Sequence, residues 1–179
     1  MARTHDRLDD TLTDWIGEQH LFFVASAPSG DEGHVNLSPK GYDTFRVLDD
    51  QTVAYLDLTG SGVETIAHLR DNGRLTFMFC GFDGPPRIVR LFGQGEVVRP
   101  GAPEFDALFA RFAPVPGVRS IIRCRLDRIQ SSCGYAVPFM TFEGERETLA
   151  EWAERKGPEG VDAYHAEKNR ESIDGLAGV

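Results

Sequence analysis

Three polar side chains, Asn36, Ser38 and Lys40, take alternate positions in the segment Val35–Gly41 (VNLSPKG). Alternation places them on one face of a strand. A lysine ammonium beside a serine hydroxyl offers a point charge and a donor suited to phosphate. The same spacing also describes the solvated face of an edge strand, which Pro39 fits. A second polar group follows at Thr59-Gly60-Ser61-Gly62, between a strand-like run and a helix-like one. Free backbone N–H groups and the positive end of the helix dipole favour an anion there. The two glycines let a ligand approach the backbone. The competing reading is an ordinary helix start: Ser61 and Glu64 fit a Ser-x-x-Glu capping box, and Glu64 itself opposes an anion.

Other candidates are weaker. Arg87 and Arg90 are three residues apart and point to opposite faces of a regular strand, so one ligand meets both only across a bulge or a dimer. Cys133, in Ser131-Ser132-Cys133-Gly134-Tyr135, needs a neighbouring base to act as a nucleophile, and an inert cysteine is the simpler reading. Tyr135 can stack on a planar ligand or simply pack. No P-loop, H-E-x-x-H, G-x-S-x-G or paired-cysteine motif occurs. His34 and His68 stand alone, so no metal site is expected, and no acid–base residue is singled out.

These residues need a scaffold, and the hydrophobic pattern supplies one. Leu8, Leu12, Trp15 and Ile16 recur at helical spacing and predict an amphipathic helix over 6–18. Leu21–Ala27 (LFFVASA) reads as a buried strand, with a turn cluster at 28–33. Phe45–Leu48 and Thr52–Leu58 form a hairpin through Asp49-Asp50. Val63, Ile66 and Leu69 give a helical stripe that Asn72-Gly73 ends. Arg74–Cys80 and Arg87–Val98 are strands separated by Gly84-Pro85-Pro86, and Gly93 and Gly95 mark a bulge or close approach. A helix is predicted over 102–112, a strand over 118–129, and a helical tail over 145–169 broken at Gly157-Pro158. This order predicts an α+β fold, mainly β and barrel-like, with peripheral helices.

The whole chain narrows the function classes. Its 179 residues make one domain, with 1–20 as an N-terminal helix and 143–179 as a helical extension packed on it. A net charge of -9 argues against nucleic acid as a partner, since phosphate backbones need a clustered basic face. No apolar run approaches a membrane span, so no membrane partner is expected. Three cysteines without metal-ligand spacing fit a reducing compartment, and the polar start MARTHDRLDD does not read as a signal peptide. The expected location is the cytoplasm.

The ordered set FFVASA, VNLSPKG, DLTGSGVETIAHL, NGRLTF and RIVRLFGQGEVV resembles the pyridoxamine 5′-phosphate oxidase-like family of flavin-binding split-barrel proteins, from about Leu21 to Val98. The resemblance implies a split β-barrel homodimer with flavin mononucleotide (FMN) at the subunit interface and a small-molecule substrate. It also implies roles for Ser38 and Lys40 at the end of the second strand, for Thr59, Gly60 and Ser61 at the crossover helix, and for Arg87 on the other side of the flavin. The activity implied is hydride transfer through flavin N5. A non-catalytic flavin-binding or interaction dimer and a deazaflavin-dependent reductase are the alternatives. The oxidases proper carry arginine where this chain has Val35, and an Arg-Lys pair where it has Gly62-Val63.

Overall fold

The structure is a computed structural model and describes residues 2–179. In chain order the elements are β1 (Arg3–His5), α1 (Asp10–Gly17), β2 (Phe22–Ser26), β3 (Asn36–Lys40), β4 (Phe45–Asp49), β5 (Thr52–Leu58) and α2 (Glu64–Asp71). They continue with β6 (Arg74–Cys80), β7 (Ile88–Val98), α3 (Phe105–Phe109), β8 (Val118–Ser132) and α4 (Thr148–Lys168).

The longest strands, β7 and β8, form the spine. They pair antiparallel from Ile88↔Ser132 to Val98↔Ile121. The remaining strands flank them in the order β3-β2-β6-β7-β8-β5-β4, with β1 added to β8, in one eight-stranded sheet. Every pairing is antiparallel. The sheet curls into a split barrel that is not closed, with β3 and β4 as its edges. Helix α2 crosses between β5 and β6 and packs on β2, β6 and β7. The expected α+β split barrel with peripheral helices is the fold observed.

Alternation within the strands divides the core. Val53 and Tyr55 of β5 face the barrel interior with Phe22, Phe77, Val89, Leu91 and Ile122. Ala54 and Leu56 face the opposite way, under Phe105 and Phe112 beside α3. Strand β5 is therefore covered on both sides, which explains its nearly unbroken apolar run. Phe22, Phe45, Tyr55, Phe77 and Phe79 meet in the interior largely edge to face, Phe45 and Phe79 at 4.9 Å between centroids.

Local boundaries follow from specific groups. Helix α1 begins later than the spacing predicts, because the Asp9 side chain accepts from Leu12 N at 2.8 Å and caps it there. Further upstream, Arg3–His5 join β8 as β1. Helix α2 ends at Asn72, followed by Gly73 at φ 72°, as a left-handed helix stop requires. The Ser61 capping box does not form: α2 starts from Val63 with no side-chain cap. The turn at Gly157, φ 67°, kinks α4 where Pro158 follows. No described helix is long and apolar enough to cross a membrane.

Gly93 is a point of close approach. The β7–β8 register steps from Phe92↔Arg128 to Gly93↔Leu126, leaving Asp127 as the extra residue of a bulge. A Cβ on Gly93 would overlap the Arg125 carbonyl oxygen and come within 2.9 Å of Cys124 Sγ. Gly93→Ala is expected to lower the unfolding free energy by about 2 kcal/mol through overpacking. Urea denaturation reads this directly, and an unshifted midpoint would mean that β8 yields at no cost.

Candidate functional site

The alternation of β3 is real, and its polar face is the inner one. Val35 and Leu37 are 76% and 61% exposed, whereas Asn36, Ser38 and Lys40 are half-buried. The inversion has a local cause, because α2 presents polar groups to this strand. Asn36 Nδ2 donates to Thr65 Oγ1 at 3.0 Å and lies 3.4 Å from the hydroxyls of Ser26 and Ser38. Ser26 Oγ in turn meets His68 Nδ1 at 3.0 Å. A buried polar network is favourable when its members are paired; Asn36 of β3 supplies partners to Thr65 and Ser26, while His68 Nε2 stays buried without one.

Lys40 ends this face. Its ammonium lies 5.9 Å over the Tyr55 ring. Burial pushes it below the usual lysine range, Asp57 acts in the opposite sense, and Arg119 lowers it further. Asp57 does not pair with it. Instead Asp57 binds Arg119 at 2.8 Å, with side chains only 1% and 6% exposed. Ser120 Oγ donates to the same carboxylate at 3.3 Å. Arg119 also donates to the carbonyl of Gly62 at 2.9 Å, tying β8 to the approach to α2. Burial pushes the Tyr55 phenol well up, and its hydroxyl is a buried group without a hydrogen-bond partner.

The approach to α2 is held from outside by the C-terminal region. Thr59 is buried; its hydroxyl donates to Gly117 O at 2.7 Å and meets His165 Nε2 of α4 at 2.8 Å. Gly60 and Ser61 are exposed, but their carbonyls accept from Asn169 Nδ2 at 2.9 and 3.3 Å. His34 Nδ1 pairs with Asp174 at 2.7 Å across the same face.

The expected site residues fall in three places. Lys40, Thr59 and Gly60 share one cavity of about 240 Å³ with Tyr42 and Leu149. Ser61 lies in another, of about 560 Å³, beside Asn36, Glu64 and Glu171. Ser38 sits between them on β3. Arg87 is elsewhere, stacked 5.4 Å over the Trp15 ring and packed against Gly134. Arg90 donates to Ser132 at 3.3 Å. Cys133 and Tyr135 are exposed, and burial pushes the Cys124 thiol up to about 12. No cluster of metal-ligating residues occurs among the described residues.

Sequence reasoning missed Asp57, Arg119, Tyr55, His165 and Asn169. Asp57 had a signal, a charge inside the apolar strand TVAYLDL, where a buried charge demands a partner; Arg119 is one of four arginines in β8 and did not stand out. His165 and Asn169 had none, since only the path of the C-terminal region brings them to residues 59–61.

The family follows from comparison as well as geometry. A family model described as pyridoxamine 5′-phosphate oxidase matches residues 8–133. The Aspergillus flavus protein ustO, named a pyridoxamine 5′-phosphate oxidase family protein, is 40% identical over 194 residues, covering 98% of this chain and 77% of the relative. The chain belongs to the pyridoxamine 5′-phosphate oxidase family. Among solved structures it is similar in fold to a Lactobacillus delbrueckii protein whose provisional name is pyridoxamine 5′-phosphate oxidase (TM-score 0.55, 15% identity, 71% of this chain and 98% of that one). It is also similar to HupZ of Group A Streptococcus (TM-score 0.52, 23% identity, 68% and 91%).

The residues present fit a phosphate-bearing cofactor at one end of β3 only. Lys40 is a half-buried ammonium whose neighbouring carboxylate is already engaged by Arg119. At the α2 start the cavity is lined by the carboxylates of Glu64 and Glu171, and the Arg119 guanidinium nearby is engaged by Asp57 and the Gly62 carbonyl.

The His68 network has a pH consequence. Burial holds His68 below the usual histidine range, against the pull of Asp174, Glu64 and Asp71. His165 is shifted the same way, by burial and by Arg119. The unfolded chain therefore binds more protons than the native one below about pH 6.5, and stability falls as pH drops through that region. Urea midpoints at about pH 7.5 and pH 5.5 should show this loss, and His68→Gln should reduce it. A pH-independent midpoint would exclude a neutral buried His68.

Proposed function

We propose that this protein is an FMN-binding, flavin-dependent oxidoreductase acting on a small molecule, as a homodimer in the cytoplasm. The observation that carries the reading is Lys40, a half-buried cation free of its carboxylate neighbour on the inner face of β3, in a chain of this family. When bound, the flavin supplies hydride transfer at N5. Lys40 holds the phosphate, and the Ser38 hydroxyl is placed to assist on the same face. The Asp57–Arg119 pair keeps β5, β8 and the α2 approach in register around that position. Residues 1–179 act as one domain, and Arg87 serves the flavin only where a second protomer contributes to the site.

The dimer reading rests on the outer face of β3. Val35 and Leu37 are large apolar side chains on an exposed edge strand, an arrangement that proteins otherwise avoid. Leu37→Lys is expected to shift the protein from dimer to monomer in light scattering, with the fold retained by circular dichroism. A protein already monomeric at micromolar concentration would remove the interface from β3.

Flavin binding is tested by the absorption spectrum of the purified protein. Bands near ~375 and ~450 nm, released on denaturation, are expected. Lys40→Ala should weaken FMN binding about 10–100-fold, the worth of one charge-assisted contact. A colourless protein that ignores added FMN would end this reading. The departures at Val35, Gly62 and Val63 favour a second reading, a non-catalytic flavin-binding dimer. Photoreduction followed by a substrate screen separates the two: substrate-dependent reoxidation marks the enzyme.

A further inference from the structure

Glu64 folds back over the opening of α2, so that a side chain on Gly62 would collide with Glu64 Oε2. Glu64 Oε1 accepts a hydrogen bond from the Ile173 N–H at 3.2 Å. The segment that carries Ile173 is itself anchored. Asn169 is fully buried and spans the carbonyls of Gly60 and Ser61. A short hairpin pairs Glu171 with Ala177, and the Ser172 N–H donates to Leu176 O at 2.8 Å. The Gly178 carbonyl then accepts from Arg70 and, at 3.2 Å, from Arg99. Gly178 also packs directly on Val63, the residue before α2.

The cavity beside this contact is lined by Glu64 and Glu171, by His34 and by Ser61, with no lysine or arginine among its lining residues. A helix start favours a negative charge, and here Glu64 supplies one from within the chain. An incoming phosphate would bring like charge against Glu64 in a half-buried setting, where screening by water is reduced. One hydrogen bond, from the Ile173 N–H, favours this position of Glu64.

We propose that Glu64, held by Ile173, excludes phosphate from the start of α2 and so sets which flavin the protein prefers. This rests on the flavin reading above. Lys40 is left to meet a phosphate without help from α2, so the protein favours FMN over riboflavin through the Lys40 contact alone.

The test is a pair of titrations on the full chain and its Glu64→Gln variant, whose amide oxygen still accepts from Ile173. Fluorescence titration with FMN should show tighter binding to the variant by about tenfold, while riboflavin affinity stays unchanged. An FMN-to-riboflavin ratio equal in the two proteins would overturn the proposal. A second titration uses inorganic phosphate and follows the backbone amide resonances of residues 61–65. Saturable shifts are expected in the variant and not in the parent; equal responses, or none in either, would overturn it. If neither flavin binds either protein while phosphate binds only the variant, the flavin reading falls and the exclusion by Glu64 stands.

Discussion

Arg119 reaches Asp57 and the Gly62 carbonyl from a buried position in β8, beside Ser120, which donates to the same carboxylate. Two charges buried at this depth are costly unless each is paired and its remaining donors are met. The guanidinium satisfies that condition only if β5, β8 and the chain entering α2 hold one relative position. Asp57 and Arg119 do not sit opposite each other in the ladder: the register steps from Asp57↔Ser120 to Leu58↔Val118. That irregularity leaves Arg119 outside the regular pairing, and its side chain turns to the carboxylate. The strand irregularity and the ion pair therefore require each other.

The consequence for the site is electrostatic. Because Asp57 is bonded to Arg119, the Lys40 ammonium lacks the partner that would make it merely structural. Its burial then acts against it, as the downward shift of its pKa reflects. A half-buried, unpaired amine favours an incoming anion more than a fully exposed lysine does. The same ion pair also presents its outward donor to Gly62, so the residues 59–62 are shaped by carbonyl contacts, from Arg119 on one side and Asn169 on the other. Carbonyls held in this way fix the backbone without adding positive charge for a ligand.

Much of the barrel was readable in the residues, for reasons that are local. Strand β5 shows its burial on both faces, α2 shows its stop at Asn72-Gly73, and Gly93 shows its close approach by being a glycine in an apolar strand. The polarity of β3 was readable as alternation but not as direction. Val35 and Leu37 carry the features of inward residues, and only the chemistry of Thr65 and His68 on α2 turns the polar face in. The capping box failed for a related reason. Glu64 had the right spacing to Ser61, but its carboxylate bonds to Ile173, more than a hundred residues away in the chain. Short-range patterns cannot register a competitor that arrives by tertiary folding. The Asp57–Arg119 pair lies between these cases: Asp57 was visible as a charge in an apolar strand, while its partner, one of four arginines in β8, depended on register.

These points bear on how the departures from the family pattern should be understood. A cofactor site that had only lost function would be expected to lose its cations and leave their surroundings unfilled. Here the loss of charge at Gly62 and Val63 is matched by built contacts: Gly62 lies under Glu64, and Val63 lies under Gly178. A residue at Gly62 with a side chain would meet the Glu64 carboxylate, and one bulkier than Val63 would meet the C-terminal segment. Gly62, Val63 and the C-terminal segment thus form one packing arrangement, in which Gly178 lies directly on Val63 and the Glu64 carboxylate fills the space over Gly62. The α2 start is better described as a region rebuilt around an internal carboxylate than as an eroded phosphate cradle, with Lys40 retained on the opposite side of a buried ion pair.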